Sequence, residues 1–203
     1  MIDYVAEDEK EATIIAKKIL SYFQGDIKDW KADDQTQLSN IMPKDRRWSY
    51  PVRDIIRIIS DIEQFTEIRP DYGKGIVSCF IRIEGKPFGL LANDSQHLGG
   101  AIDSEAADKA SSFIEMCSEY GLPIISLVDT PGFMVGPDSE KEGAVRRMSN
   151  LFKIGSKVKV PLTAIFLRKG YGLGAQAMVG GSLHEPVYTC LLYTSPSPRD
   201  KRQ

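Results

Sequence analysis

Two apolar segments each run straight into a glycine-rich turn, and this repeated arrangement constrains the fold more than any other feature of the chain. The first, residues 124–128, opens into Asp129-Thr130-Pro131-Gly132-Phe133. The second, residues 162–167, opens into Arg168-Lys169-Gly170-Tyr171-Gly172-Leu173-Gly174-Ala175-Gln176-Ala177-Met178. Short apolar runs of this kind read as buried strands. Glycines directly after a strand free the backbone to turn and bring main-chain N–H groups close to a ligand. A helix is expected over 140–157, between the two. The strands should therefore lie adjacent and parallel, with the loops 129–136 and 170–174 opening on one edge of the sheet. Two such turns form the walls of one expected pocket. Its natural chemistry is stabilisation of an oxyanion by backbone donors.

The remaining pattern supports a layered α/β fold. Residues 7–23 read as an amphipathic helix with Ala12, Ile15, Ala16, Ile19 and Leu20 on one face. Residues 25–47 are polar and read as a linker or surface excursion. A second helix is expected from about residue 50 to residue 59, where apolar pairs recur at helical spacing. Residues 76–83 and 87–92 read as two strands joined by a turn at Glu84-Gly85-Lys86. A helix follows over 104–120, with Ser104 as its expected N-cap and Gly121 past its end. Strands alternating with helices imply a mainly parallel sheet.

Composition excludes several classes. The 203 residues carry a formal net charge of -2, with 42% apolar and 27% charged residues, which gives no electrostatic reason to expect nucleic acid. No apolar run reaches the roughly 18–20 residues that span a bilayer, so no membrane partner is expected. The acidic N-terminus has no signal-peptide core. Cys79, Cys117 and Cys190 are too scattered for a metal site or a disulfide framework, so a reducing cytoplasm is the expected compartment. The α/β pattern reaches residue 189. Residues 190–203 then read as a short apolar tag and a Ser/Pro and charged tail, expected to be disordered or foreign to the fold. The expected organisation is a helix and linker over 1–47, one domain over 48–189 and this tail, the whole reading as a fragment.

The motifs also admit simpler readings. Asp129-Thr130-Pro131-Gly132 also matches the Asp-x-x-Gly switch of GTPases, but no phosphate-binding Gly-x-x-x-x-Gly-Lys-Ser/Thr loop precedes it. Gly170, Gly172 and Gly174 resemble a dinucleotide loop whose third glycine falls one residue early. The two histidines, His97 and His184, read as loop residues rather than catalysts. Arg146-Arg147 read as a solvated or subunit-facing helix edge. Arg168-Lys169 either cap a strand end or meet a partner or phosphate. Asp129 either holds its loop by accepting backbone N–H bonds or touches ligand.

A longer ordered set of residues carries a resemblance. It runs from the acidic helix near Ala6 through Tyr50-Pro51-Val52-Arg53, Phe65-Thr66-Glu67, Tyr72-Gly73, Gly85-Lys86-Pro87-Phe88-Gly89 and Ala92-Asn93-Asp94. It continues through Gly100-Ala101-Ile102-Asp103, Ala106-Ala107-Asp108-Lys109-Ala110 and Phe113-Ile114, and closes with the two glycine-rich turns. Over residues 6–189 the chain resembles the C-terminal domain of the β-type carboxyltransferase subunit of biotin-dependent acyl-CoA carboxylases, the propionyl-CoA and acetyl-CoA carboxylase family. The resemblance implies a crotonase-like (ClpP/crotonase) α/β fold of ββα units wound as a superhelix. The family's preceding domain, with its own Gly-Gly oxyanion motif, is not part of the resemblance.

By this resemblance the chain moves a carboxyl group between carboxybiotin and an acyl-CoA of the acetyl- or propionyl-CoA class. The oxyanion donors it implies are the main-chain N–H groups of Leu173 and Gly174; the family usually places a small residue where Leu173 stands. Asp129, Pro131, Gly132, Phe133, Gly99, Gly100, Tyr171, Gly172 and Gln176 are the implied biotin- or substrate-binding residues, and Gln176 matches a position that helps set acyl-chain selectivity. No metal is implied. The implied partners are biotin carboxyl carrier and biotin carboxylase components and further copies of the chain in a homo-oligomer. A fragment of this kind is not expected to act alone. The alternatives are a carrier-binding or assembly module without activity, and a decarboxylase of the same family.

Overall fold

In the computed structural model, which describes residues 2–45, 47–137, 143–181 and 186–191, six strands form one sheet in chain order. They are β1 (Phe65–Ile68), β2 (Ile76–Ile83), β3 (Lys86–Asn93), β4 (Ile124–Thr130), β5 (Leu162–Gly170) and β6 (Tyr188–Leu191). The pairs β1–β2 and β2–β3 are antiparallel. From β3 to β6 every pair is parallel, including β4 with β5 as expected from their flanking glycine turns.

The β2–β3 hairpin shows how local chemistry sets the register. Its two-residue turn, Glu84-Gly85, has φ of 52° and 77°, the paired left-handed geometry that matches strand twist. The buried Asp61 carboxylate accepts both turn N–H groups, from Glu84 at 3.0 Å and Gly85 at 2.7 Å. Ile83 then faces Lys86, which opens β3 and does not belong to the turn.

The period-2 alternation of the strands feeds two cores, one on each face. Ile76, Phe80, Leu91, Ile124, Val128, Leu162 and Ala164 face helices α4 (Ser104–Glu119) and α5 (Ala144–Gly155). Val77, Cys79, Ile81, Leu90, Ala92, Leu127 and Leu167 face helix α3 (Val52–Ile59). Gly89 lies under Cys117 Sγ and the Phe113 ring; a side chain there would push α4 off the sheet. The helix expected over 140–157 begins, within the described residues, at Ala144; residues 138–142 lie outside them.

Several expectations are corrected. Helix α1 spans Glu9–Ser21, opened by Asp8, whose carboxylate accepts Glu11 N–H at 2.7 Å. None of its residues is buried, and Ala12, Ala16 and Leu20 of the expected inward face are exposed. The helix docks by its end instead. Tyr22 and Phe23 pack on Phe80, with centroids at 5.5 and 5.3 Å. The polar stretch 25–47 is a surface excursion with structure of its own. It contains a 3₁₀ turn (Gln35–Gln37) and a short helix α2 (Leu38–Ile41), and Leu38, Ile41 and Met42 pack against the second core.

The N-cap of α4 is Asp103, not Ser104, because the Asp103 carboxylate reaches Ala106 N–H at 2.8 Å. β6 includes Cys190 and Leu191 and carries the sheet two residues past the expected boundary. Residues 192–203 lie outside the described residues.

Candidate functional site

The C-terminal ends of β4 and β5 bring the two glycine-rich turns together. Val128 pairs with Phe166 and Thr130 with Gly170, so β5 spends more residues than β4 between these pairs and bulges. After the bulge, Tyr171 N–H donates to Thr130 O at 3.2 Å. Helix α6 (Gly172–Met178) starts there, with Gly172 at φ 59°. The glycine-rich turn expected over 170–174 thus comprises the last residue of a strand and the first turn of a helix.

The backbone of that turn lies directly against the other. A Cβ on Gly174 would stand 2.7 Å from Gly132 Cα and 3.0 Å from Phe133 N. Leu173, Gly172 and Tyr171 face solvent, and the Leu173 side chain is 63% exposed. The Leu173 and Gly174 N–H groups belong to the first helical turn, where no preceding helix carbonyl is in reach. Among the described residues no acceptor takes either of them.

The other sequence-predicted residues divide into two sets. Pro131 and Gln176 are exposed beside the turn, as is Gly99, whose carbonyl accepts from Lys169 Nζ. Gly132 is half-buried at φ 127°, and its carbonyl accepts Ile102 N–H at 3.0 Å. Phe133 turns towards the first core, with its ring 6.1 Å from that of Phe152. Gly100 is buried with its Cα against the Asp129 carbonyl, at φ 88°.

Asp129 does not offer its carboxylate to the open surface. Its side chain is 0% exposed and that of Arg168 is 4%. Oδ2 accepts from Tyr50 hydroxyl at 2.8 Å and Arg168 Nε at 3.1 Å, while Oδ1 accepts Lys169 N–H at 2.9 Å. Its own N–H donates to Asn93 Oδ1 at 3.1 Å. Arg168 also stacks over the Tyr50 ring at 4.4 Å and donates from Nη1 to Trp48 O at 2.7 Å. Burial, followed by the adjacent carboxylate, holds the Tyr50 phenol well above its usual range, so it stays protonated and donates.

Sequence reasoning weighed Asp129, Arg168 and Lys169, and missed Tyr50 and Asn93 as their partners. Tyr50-Pro51 before a helix and Asn93-Asp94 at a strand end carry no spacing that points across the fold. His97 pairs with Asp103 at 3.3 Å, and His184 lies outside the described residues. No helix of the described residues is long and apolar enough to cross a membrane. No group of three or more His, Cys, Asp or Glu among them could hold a metal ion.

Known proteins resemble this chain in sequence and fold. The profile of a family described as carboxyl transferase domain matches residues 1–196. The methylmalonyl-CoA carboxyltransferase 12S subunit of Propionibacterium freudenreichii subsp. shermanii is 34% identical over 190 residues, covering 90% of this chain and 36% of that protein. The biotin-dependent acetyl-/propionyl-coenzyme A carboxylase beta5 subunit of Mycobacterium tuberculosis is 32% identical over 193 residues, covering 87% of this chain and 35% of that protein. The chain therefore spans about a third of the length of these curated relatives. Among solved structures, a single-chain, multi-domain long-chain acyl-CoA carboxylase superposes with a TM-score of 0.88 and 46% identity, over 98% of this chain and 22% of that one. The sheet and its helices have the crotonase-like fold that the resemblance implied.

Proposed function

The chain belongs to the carboxyl transferase domain family, and on that footing we propose that it is the part of a biotin-dependent enzyme that moves a carboxyl group between carboxybiotin and the α-carbon of an acyl-CoA. The observation that carries this reading is the first turn of α6. Two main-chain N–H groups, of Leu173 and Gly174, remain without an acceptor among the described residues, beside the half-buried Gly132.

Such a donor pair suits the ureido oxygen of biotin, which accepts hydrogen bonds and gains negative charge as the carboxyl group departs. Biotin, when bound, supplies the carboxyl group; the chain supplies the donors. Backbone N–H groups do not titrate, so they stabilise negative charge without delivering a proton to a carbanion. The Asp129 carboxylate, behind the turn, is buried and engaged by three donors among the described residues, so it offers no acid to the surface.

Exposed apolar side chains stand on each segment around the turn: Trp48, Leu98, Val135, Tyr171 and Leu173. They fit a site that the rest of a longer protein, or a second copy, covers during transfer. The carrier of biotin is the partner this chemistry requires, and in the carboxylase direction a biotin carboxylase loads it. The relatives named for acetyl-/propionyl-coenzyme A support that class of substrate, and the long-chain acyl-CoA carboxylase names a second class to be tested beside it.

The test compares Leu173→Pro with Leu173→Ala in the complete enzyme, assayed with free biotin or its carrier. Position 173 is the second residue of α6 and is exposed, so proline is tolerated there and removes one N–H. The proline variant is expected to transfer about 10²–10³ times more slowly than the alanine variant, the cost of one oxyanion donor. Equal rates in the two folded variants would remove Leu173 N–H from the mechanism.

A further inference from the structure

We infer that Asp129 is the positioning residue of the donor turn: one buried carboxylate takes the place of a strand in the β5 bulge and thereby aims Leu173 and Gly174. The inference rests on the carboxyl-transfer reading of that turn.

The bulge is the starting point. The regular ladder stops at Val128–Phe166 and resumes at Thr130–Gly170, leaving Leu167, Arg168 and Lys169 opposite Asp129. A bulge leaves backbone groups unpaired and bends the strand. Here the Lys169 N–H is taken up by Asp129 Oδ1 at 2.9 Å, and the Arg168 side chain by Oδ2 at 3.1 Å. Two residues further on, Tyr171 N–H returns to the ladder at Thr130 O, and Leu173 and Gly174 follow in the next turn. The direction in which the donors point is thus fixed by a bulge that Asp129 fills.

The same residue ties the remaining walls. Its N–H is held by Asn93 at the end of β3, and its carbonyl abuts Gly100. Tyr50, just before α3, completes the set on Oδ2 and presents its ring to the Arg168 guanidinium at 4.4 Å. Three donors converge on the carboxylate, so both oxygens must accept. An amide in its place turns one acceptor into a donor that faces either Lys169 N–H or Arg168 Nε. Asp129→Asn therefore preserves the volume and breaks the bulge.

The experiment uses the complete enzyme with free biotin or its carrier, and four variants: Asp129→Asn, Tyr50→Phe, Ile56→Val and Leu173→Pro. Ile56 lies on α3, in the second core, and its truncation serves as a control for lost stability. Asp129→Asn is expected to lower kcat by up to about 10²-fold, the scale of a reacting group displaced by 1 Å, with KM for acyl-CoA unchanged. Tyr50→Phe, which removes one donor and leaves two, is expected to lower kcat less, again at constant KM. Ile56→Val is expected to lower the melting temperature without lowering kcat.

Wild-type kcat in folded Asp129→Asn would overturn the inference. So would equal losses in Asp129→Asn and Ile56→Val at matched distance below their melting temperatures. If Asp129→Asn does not fold, Tyr50→Phe decides alone, and wild-type kcat there overturns the role. Leu173→Pro separates the two proposals. An inactive Leu173→Pro beside a fully active Asp129→Asn leaves the donor assignment standing and removes the positioning role; a fully active Leu173→Pro removes the donor assignment, and with it the turn that Asp129 is held to position.

Discussion

Gly174 and Gly132 meet backbone to backbone, with the position of a Gly174 Cβ lying 2.7 Å from Gly132 Cα. Neither atom belongs to a flexible side chain, so the contact cannot yield cheaply. Gly174→Ala is therefore expected to push α6 away from loop 129–136, at a cost of about 1–3 kcal/mol typical of overpacking. Gly172→Ala meets open space but must hold φ at 59°, which costs about 1–2 kcal/mol on its own. Thermal unfolding of both variants gives their stabilities. Transfer assays should then show Gly174→Ala losing far more activity per degree of lost stability. Comparable activity losses per degree would contradict the claim that this contact shapes the site.

Arg82 anchors the N-terminal helix. Its buried guanidinium donates to Ser21 O at 2.7 Å, Gly25 O at 2.8 Å and Gly85 O at 2.7 Å. It also lies 5.4 Å from the Tyr22 ring centroid. Arg82→Met leaves three carbonyls without their charged donor and is expected to destabilise the protein by about 2–4 kcal/mol. Trypsin cleavage after Lys28 and Lys31, just past the anchored segment, should accelerate in parallel. Unchanged cleavage would show that the helix is held by Tyr22 and Phe23 alone.

The parts of the structure that were legible in the sequence are those fixed by short-range pattern. Strands β2 to β5 and helices α3 and α4 announce themselves by apolar period and bounding glycines. The adjacency of β4 and β5 follows from the helix between them. Strand β1 has four residues, too few for a period, and was missed. Helix α1 was read as amphipathic, yet its alanines face solvent, because the docking energy resides in Tyr22, Phe23 and Arg82 beyond its end. In the site, the two glycine-rich turns were legible as backbone chemistry, whereas Leu173 entered through the family resemblance alone. For Asp129 the sequence left two readings open, and the loop-holding one matches its acceptance of Lys169 N–H; its partners Tyr50 and Asn93 were out of reach, being distant in sequence and meeting only across the finished sheet.

Lys109 makes stability depend on pH. It is buried on α4, its Nζ has no hydrogen-bond partner among the described residues, and burial pushes its amine down to about 8. In the unfolded chain the group titrates near ~10.4. Below about pH 8 the folded state must hold a buried ammonium that the unfolded state keeps in water, so the deficit is fully present there. Between about pH 8 and ~10.4 the unfolded state binds more protons, and the contribution of this group to stability rises with pH. Lys109→Met should remove the deficit and raise stability at pH 7 by about 1–3 kcal/mol. Its unfolding free energy should also lose the upward slope between pH 8 and 10 relative to the parent. A parallel slope in both proteins would assign the dependence to other groups.

Gln176 offers the test of acyl-chain selection. It is exposed on α6, and its side chain makes no hydrogen bond among the described residues, whereas its main-chain carbonyl closes the helix by accepting Gly181 N–H at 2.7 Å. Gln176→Ala therefore leaves that closure intact, and its expected effect on stability is within about 0.5 kcal/mol, as for other exposed substitutions. If the side chain meets the acyl group, shortening it should shift the ratio of kcat/KM values between acetyl-CoA, propionyl-CoA and a long-chain acyl-CoA. One or two methylenes' worth of contact corresponds to a change of about 10–200-fold. The measurement is a competition among the three substrates in the complete enzyme, with total transfer recorded alongside. A changed ratio with transfer retained would place Gln176 against the acyl chain. An unchanged ratio across all three lengths would remove it from the substrate pocket.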